Sequence, residues 1–380
     1  VTRVALVCDW FLPRLGGIEL HLRDLAIALR HRGMDARVVT TTRGADMVDG
    51  VPVHRVPAAL APGAGFAFTP AALAGVAAAI ARERFDVVHA HASVVSPVAY
   101  AGALAGARGG RSTVLTFHSM LYNSAFLLGA SEALLGWSRE RIVLSAVSSV
   151  VAGQATRWLP DASVAILPNG VDAGFWRAGG RAPATPRSGE VLFVTAMRLS
   201  RKKRPARLLR AFATACRLVN GVPPMRLLLA GDGPDRVALS RLAASLGIAD
   251  RVELLGQLSR DELRQLHARA DAFVLPSERE SFGLAALEAR AAGLPVIAML
   301  ASGARDFIQQ GVNGLLARDE RELAGAIGRL ALDAPFRAYV ARQNASSPPP
   351  YDWSDVAALH ERVYAAAAGL RAGVARASHQ

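Results

Sequence analysis

A chain of 380 residues with 52% hydrophobic content exceeds what one hydrophobic core holds and supplies enough apolar material for two. Its formal net charge of +13 favours anionic partners such as nucleotide diphosphates or an acidic membrane surface, but no nucleic-acid-binding motif accompanies it, so nucleic acid is not an expected partner. Cys8 and Cys216 stand alone, which excludes a disulfide framework and a cysteine metal site and suits a reducing, cytoplasmic compartment.

The N-terminal VTRVALVCDWF reads as a short strand and not as a secretory signal, because no long apolar segment leads to a small-residue cleavage site. Gly16 and Gly17 follow it and precede a helix containing Glu19 and His21; glycines there let the backbone approach a ligand closely. Strand-like ARVVTTT, DVVHAHA, STVLTFH, IVLSAVS and SVAILPNG then alternate with helix-like stretches, the pattern of a doubly wound parallel sheet. His89 and His91 share one strand face by the period of two. Without a neighbouring carboxylate they make a poor metal site, and no metal is expected. His118 closes STVLTFH, where an imidazole either donates to a ligand or is satisfied within the core. Residues 121–144 mix leucines, Phe126 and Trp137 with Arg139 and Arg141; they read as a packing helix, with an interfacial membrane helix as the alternative. No apolar run approaches the roughly 20 residues needed to span a bilayer. Asn169 and Gly170 in LPNGVD read as a turn in which Asn169 bonds locally.

RAGGRAPATPRSG, residues 177–189, is rich in Gly, Pro and Ser and is the expected hinge between a first domain, 1–176, and a second, 190–350. The second repeats the plan with VLFVTAM, MRLLLAGDG, VELLGQ, AFVLPSE and PVIAML as strands between helices such as PARLLRAFATACRLVN. Within it Gly231, Asp232 and Gly233 form a turn signal. After SSPPP the chain is again helical, over 351–380.

The chemistry concentrates in PSERESFGLAALEARAAGLPVIA, residues 276–298. FVLP ends a strand, Ser281, Phe282 and Gly283 interrupt it, and LAALEARAAG reads as a helix closed by Gly293. Unpaired amides and the positive end of the helix dipole favour a phosphate at Phe282, Gly283 and Leu284. Glu280 precedes the helix and Glu288 lies about 7 Å along its axis, so two carboxylates bracket that position and can accept from hydroxyls. A second signal lies upstream. Of 44 Lys and Arg residues only Lys202 and Lys203 are lysines, and both fall in MRLSRKKRP beside Arg198, directly after a buried-strand pattern. An ammonium delivers a point charge to a phosphate oxygen where Arg presents a wider fork. A solvated basic loop is the competing reading of RKKR.

LPRLGGIELHLRDLAIALRHRG, DVVHAH, TFHS, LPNGVD, RLSRKKRP, LLLAGDGP and the paired-glutamate segment occur here in the order found in glycosyltransferase family 4, which the chain resembles over nearly its whole length. DWFLPRLGGIE and HAHASVVSPVAYAGA are similar to phosphatidylinositol glycosyltransferases. The resemblance implies an α/β GT-B fold: two facing Rossmann-like doubly wound parallel-sheet domains, with a C-terminal helix crossing back to brace the first. It further implies retaining transfer of a hexosyl or N-acetylhexosaminyl group from a nucleotide-diphosphate sugar to a hydroxyl acceptor, which could be lipid-linked, inositol-type, a glycan or a small molecule. No cofactor or metal ion is implied, because the chain has no DxD motif and protein cations take its place. The catalytic residues so implied are Arg198, Lys203, His118 and Glu280, with Lys203 fitting the family spacing better than Lys202. The donor-binding residues are Gly16, Gly17, Gly231, Gly233, Leu258, Phe282, Gly283, Leu284 and Glu288. Backbone groups around Gly256 to Leu258 are expected to read the base. One departure stands out, since Arg305 and Asp306 occur where the family often has Pro-Glu. Three alternatives compete: a nucleotide-sugar hydrolase or epimerase of the same fold, a noncatalytic sugar-nucleotide-binding partner, and a nicotinamide enzyme. The last lacks the GxGxxG fingerprint. A cytoplasmic enzyme, peripheral at the inner face of the membrane if its acceptor is a lipid, is the expected setting.

Overall fold

The computed structural model describes residues 1–380 apart from 15, 59–66, 68, 122–135, 137–139, 160–161, 179–188 and 378–380. The packing-helix reading of 121–144 falls mostly outside the described residues, and its last residues, 142–144, lie in a strand. Two compact units emerge, Val1–Gly170 with Trp353–Gln380, and Val171–Asp352.

The first unit is an eight-stranded sheet built from β1 (Arg3–Cys8), β2 (Asp35–Thr40), β3 (Met47–Val48), β4 (Val51–Arg55), β5 (Val87–Ala92), β6 (Ser112–Phe117), β7 (Ile142–Ala146) and β8 (Val164–Ile166). Its order is β3-β4-β2-β1-β5-β6-β7-β8, parallel except for the β3–β4 pair. The order reverses between β1 and β5, where open α/β sheets bind ligands at their carboxyl ends. Parallel strands are covered on both faces, which is why β5 and β6 are buried at every residue. The short strands β3 and β4 escape a sequence reading because MV and VPVHR are brief and contain a proline.

Among the described helices, α1 (Gly17–His31), α2 (Pro70–Arg82), α3 (Pro97–Arg108) and α4 (Ser149–Thr156) connect these strands. On α1 the buried residues Leu22, Leu25, Ala26 and Leu29 form a single stripe with helical spacing. They share a core with Ala357, Tyr364 and Ala367, borne on a C-terminal helix at Trp353–Ala377. This helix therefore packs into the first unit, as the resemblance implies.

The second unit contains β9 (Val191–Ala196), β10 (Met225–Ala230), β11 (Val252–Gly256), β12 (Ala272–Leu275), β13 (Val296–Met299) and β14 (Gly314–Ala317), parallel throughout in the order β11-β10-β9-β12-β13-β14. The helices are α5 (Ala173–Arg177), α6 (Pro205–Leu218), α7 (Arg236–Ser245), α8 (Arg260–Arg269), α9 (Leu284–Ala291), α10 (Glu320–Leu332) and α11 (Ala334–Ser346), and the C-terminal Trp353–Ala377 is α12. A capping box opens α8: the Ser259 hydroxyl accepts from the Glu262 amide, and the Glu262 carboxylate accepts from the Ser259 amide. The first unit's initial segment ends at Gly170, whereas composition suggested 176. The difference has a physical anchor in Trp176, buried on α5 with its ring 5.3 Å from His267 of α8. No described helix is long and apolar enough to cross a membrane.

Gly102 and Gly106 let α3 press on the sheet. A Cβ at Gly106 would stand 2.8 Å from both Val88 Cβ and Thr113 Oγ1. Alanine is ordinarily the better helix former by about 1 kcal/mol, but overpacking reverses the sign here. Gly106→Ala should destabilise by about 1–3 kcal/mol in denaturant unfolding. Gly153→Ala on α4, where a Cβ meets nothing within 4 Å, should be neutral or stabilising.

Candidate functional site

In the second unit, loops at the carboxyl ends of the strands are joined by backbone contacts. The Leu199 amide donates to Asp232 O at 2.9 Å, and the Gly231 amide to Gly256 O at 2.6 Å. The Gly303 amide donates to Glu280 O at 2.8 Å, and Ser277 Oγ to Lys202 O at 3.4 Å. Gly231 (φ +126°) and Gly233 are required for this closeness, since a Cβ on either would collide with a carbonyl oxygen, that of Met197 or Leu199. The GDGP turn thus lies directly against the segment that carries Arg198.

Arg201–Lys203 is one turn of 3-10 helix, followed by Arg204 in the left-handed region at φ 58° and then by α6. This turn separates the two lysines. Lys202 is exposed, whereas Lys203 is half-buried and donates from Nζ to Glu280 Oε2 at 2.6 Å. Beside that pair Arg207 meets Glu278 at 2.7 Å, a second cation–carboxylate contact between the same two segments that spacing gave no reason to expect. Arg198 is exposed at the end of β9, and Leu258 is half-buried in the loop after β11.

α9 begins after Gly283, which has φ +97° and no side-chain cap. The end of the helix expected to face a phosphate therefore carries no protein oxygen from a capping side chain. The Phe282 side chain points into the core, its ring 5.5 Å from Phe307 and 5.7 Å from Tyr351, which leaves its amide as the group available to a ligand. Leu284 starts the helix and Glu288 lies on it, half-buried. Arg305 and Asp306 occupy a 3-10 turn at Gly303–Asp306, where Asp306 O accepts from the Tyr351 hydroxyl at 3.4 Å.

In the first unit Gly16 caps α1 and Gly17 is its first residue. A Cβ at Gly16 would collide with the Glu19 carboxylate, which folds back over the loop and lies 3.7 Å from Arg14. Burial raises the Glu19 pKa. Asp9, not singled out from sequence, is buried and accepts from the amides of Val98 and Ala99 at 3.0 and 3.2 Å; burial nonetheless pushes its carboxyl up to about 7. Asn169 is buried, and its Oδ1 finds no partner among the described residues. Gly170 admits the Trp353 ring, 2.5 Å from where a Cβ would stand.

The histidines differ most from a linear reading. His89 and His91 do share a strand face, with ring centroids 4.0 Å apart. Yet His89 is engaged at both nitrogens, by Tyr364 at 2.9 Å and Thr116 at 2.6 Å. His91 Nδ1 faces His118 Nε2 at 2.9 Å, and His21 of α1 completes the cluster, its ring 5.3 Å from His118. Only the fold could bring these together, because they are separated by 70 and 27 residues and by two crossovers.

Family models fit both halves of the chain: the one described as Glycosyl transferases group 1 matches residues 181–346 and Glycosyltransferase Family 4 matches residues 15–175. The D-inositol 3-phosphate glycosyltransferase of Actinosynnema mirum is 31% identical over 380 residues, covering 89% of this chain and 89% of that one. The chain belongs to glycosyltransferase family 4. A second relative of that description, from Geodermatophilus obscurus, is 31% identical over 392 residues, covering 93% of this chain and 85% of its own. Among solved structures, Anabaena HepE in complex with UDP superposes with a TM-score of 0.76 at 22% identity, over 96% of this chain and 100% of that one. The lipopolysaccharide glycosyltransferase WaaG superposes with 0.69 at 18% identity, over 95% and 98%. The fold class is GT-B, and the protein is a glycosyltransferase.

Burial holds the pKa of His21, His89, His91, His118, His267 and His360 below the ordinary value, to about 3 for His118 and about 4 for His267 and His360. The unfolded chain protonates these groups near about 6.5, where the folded chain does not. Their contribution to stability is therefore complete above that pH and is lost as pH falls toward the folded values, by up to about 1.4 kcal/mol per pH unit for each. Asp9 and Glu19 oppose them: a carboxyl pKa raised by burial adds stability as pH falls, for Asp9 below about 7. The melting temperature of this family 4 enzyme should fall steeply between about pH 7 and pH 5. A flat profile by scanning fluorimetry would mean that the imidazoles are solvated.

Proposed function

We propose that this glycosyltransferase moves a hexosyl or N-acetylhexosaminyl group, with retention of configuration, from a nucleotide-diphosphate sugar to a hydroxyl of an inositol-type or lipid-linked acceptor. The observation that carries the reading is the Lys203–Glu280 pair at 2.6 Å, set beside the uncapped start of α9. A donor diphosphate arriving at that helix end supplies the anion that Lys203 otherwise finds in Glu280. Glu280 is then released to accept from sugar hydroxyls, and Glu288 from hydroxyls further along.

As the bond from the anomeric carbon to the diphosphate breaks, negative charge grows on the leaving β-phosphate. Arg198, Lys203 and the amides of Gly283 and Leu284 oppose that charge, which is the part of the barrier protein cations lower most. No side chain is assigned as a nucleophile. The acceptor hydroxyl attacks on the face the diphosphate leaves, and the departing phosphate takes its proton. No metal or cofactor takes part. The first unit contributes the Gly16–Gly17 turn, whose glycines leave backbone open to a ligand, and the His118 imidazole, its pKa lowered by burial.

The inositol-type acceptor rests on the relatives' activity and on the net charge of +13, which draws a phosphorylated acceptor. The same charge supports peripheral contact with an anionic membrane from the cytoplasmic side when the acceptor is a lipid.

Titration with UDP, GDP, ADP and dTDP sugars should raise the melting temperature for one base selectively. NMR of the product with an inositol phosphate acceptor should show the donor's anomeric configuration. Release of free sugar without acceptor would identify a hydrolase instead, and ligand binding without any transfer a sensor. Lys203→Ala and Glu288→Ala should each lower turnover by roughly 100-fold with unchanged circular dichroism, an effect of about 3 kcal/mol on the barrier. Near-normal turnover in both would remove the assigned roles.

A further inference from the structure

α1, β5 and the residue following β6 bring together three imidazoles at the carboxyl edge of the first unit. His21, His91 and His118 are 4%, 2% and 5% exposed, and one ligand-capable nitrogen from each lies within 4.8 Å of the others. Their hydrogen bonding is incomplete. His91 Nδ1 and His118 Nε2 face each other at 2.9 Å, while His21 Nδ1 and His91 Nε2 are buried with no partner among the described residues. A buried nitrogen without a partner is costly, and such groups call for an explanation.

The neighbouring histidines do not share this state. His89 spends both nitrogens on Tyr364 and Thr116, and His360 Nδ1 meets the Val356 carbonyl at 2.7 Å. Beside the His91 ring, a cavity of about 10 Å³, room for a single water, is also lined by Asp9, Glu19 and Ser96.

We propose that His21, His91 and His118 form a trihistidine site for a borderline divalent transition-metal ion of the zinc type. Imidazole suits zinc, copper and nickel, whereas Mg²⁺ and Ca²⁺ require oxygen ligands. Metal–nitrogen bonds of about 2.0–2.1 Å put tetrahedral ligand atoms about 3.3 Å apart, so binding slightly parts the 2.9 Å His91–His118 contact and replaces its hydrogen bond. Three protein ligands leave a fourth position for water. The glycosyl-transfer chemistry has no need of this ion, which would take up the His118 imidazole assigned to that chemistry, so metal binding and transfer draw on the same ring.

The test uses the full chain without a histidine tag, stripped with chelator and titrated with Zn²⁺ against a chromogenic chelator, then with Co²⁺ as a spectroscopic substitute. One equivalent of zinc should bind, excess Mg²⁺ should not displace it, and cobalt should show the visible absorption of a four-coordinate nitrogen-rich site. His21→Ala and His91→Ala should each lower zinc affinity by on the order of 100-fold. His31→Ala, at an exposed residue, should leave it unchanged. Because buried replacements can unfold the chain, the wild-type cobalt spectrum is decisive by itself. No stoichiometric zinc binding, an octahedral cobalt spectrum, or equal binding by the folded His91→Ala variant would overturn the proposal.

Discussion

Backbone contact without an intervening Cβ holds the chemistry of the second unit in place. Carbonyl oxygens of Met197 and Leu199 occupy the space that side chains at Gly231 and Gly233 would need, and Ser281 O does the same at Gly303. Because loops after β9, β10, β12 and β13 interlock in this way, Lys203 and Glu280, separated by 77 positions, meet at 2.6 Å. The parallel sheet beneath them sets all these loops on one edge. The meeting of Lys203 with Glu280 and of the GDGP turn with the segment carrying Arg198 follows from those two constraints.

The Lys203–Glu280 pair also changes how the basic segment should be understood. In isolation RKKR is a run of charges that water would solvate, and Lys202 does behave in that manner. Lys203 does not, because the 3-10 turn directs it toward a carboxylate whose side chain is only 14% exposed. An ion pair of this kind is weak evidence for stability. Its consequence is geometric: the lysine and the carboxylate hold each other beside the uncapped start of α9.

The first unit contains a different electrostatic environment. Burial lowers the pKa of its histidines, and the buried carboxylate Asp9 is stabilised by the amides that open α3 but still pushed toward protonation. Positive charge is abundant over the chain as a whole, so the absence of charge from this histidine cluster is a property of burial and not of composition. Membership in glycosyltransferase family 4 accounts for the fold carrying both environments, yet the trihistidine geometry is read from the side chains alone.

Much of this protein was legible in its linear sequence. Alternating apolar runs and amphipathic stretches announced two doubly wound sheets, because a strand covered on both faces must be apolar throughout and a surface helix must be apolar on one side. The motif order disclosed the family, and the scarcity of lysine pointed to residues 202 and 203 before any contact was known. Residue chemistry alone did not choose between those two lysines, although the family spacing favoured Lys203, and it could not pair Arg207 with Glu278. It placed the domain boundary near 176 from composition, while the packing of Trp176 on His267 assigned residues 171–177 to the second unit. It offered His89 as the companion of His91, whereas the fold supplied His21 and His118. Periodicity reports which face of its own element a residue occupies; contacts between elements depend on sheet order and loop closure, and these are decided only when the tertiary structure forms.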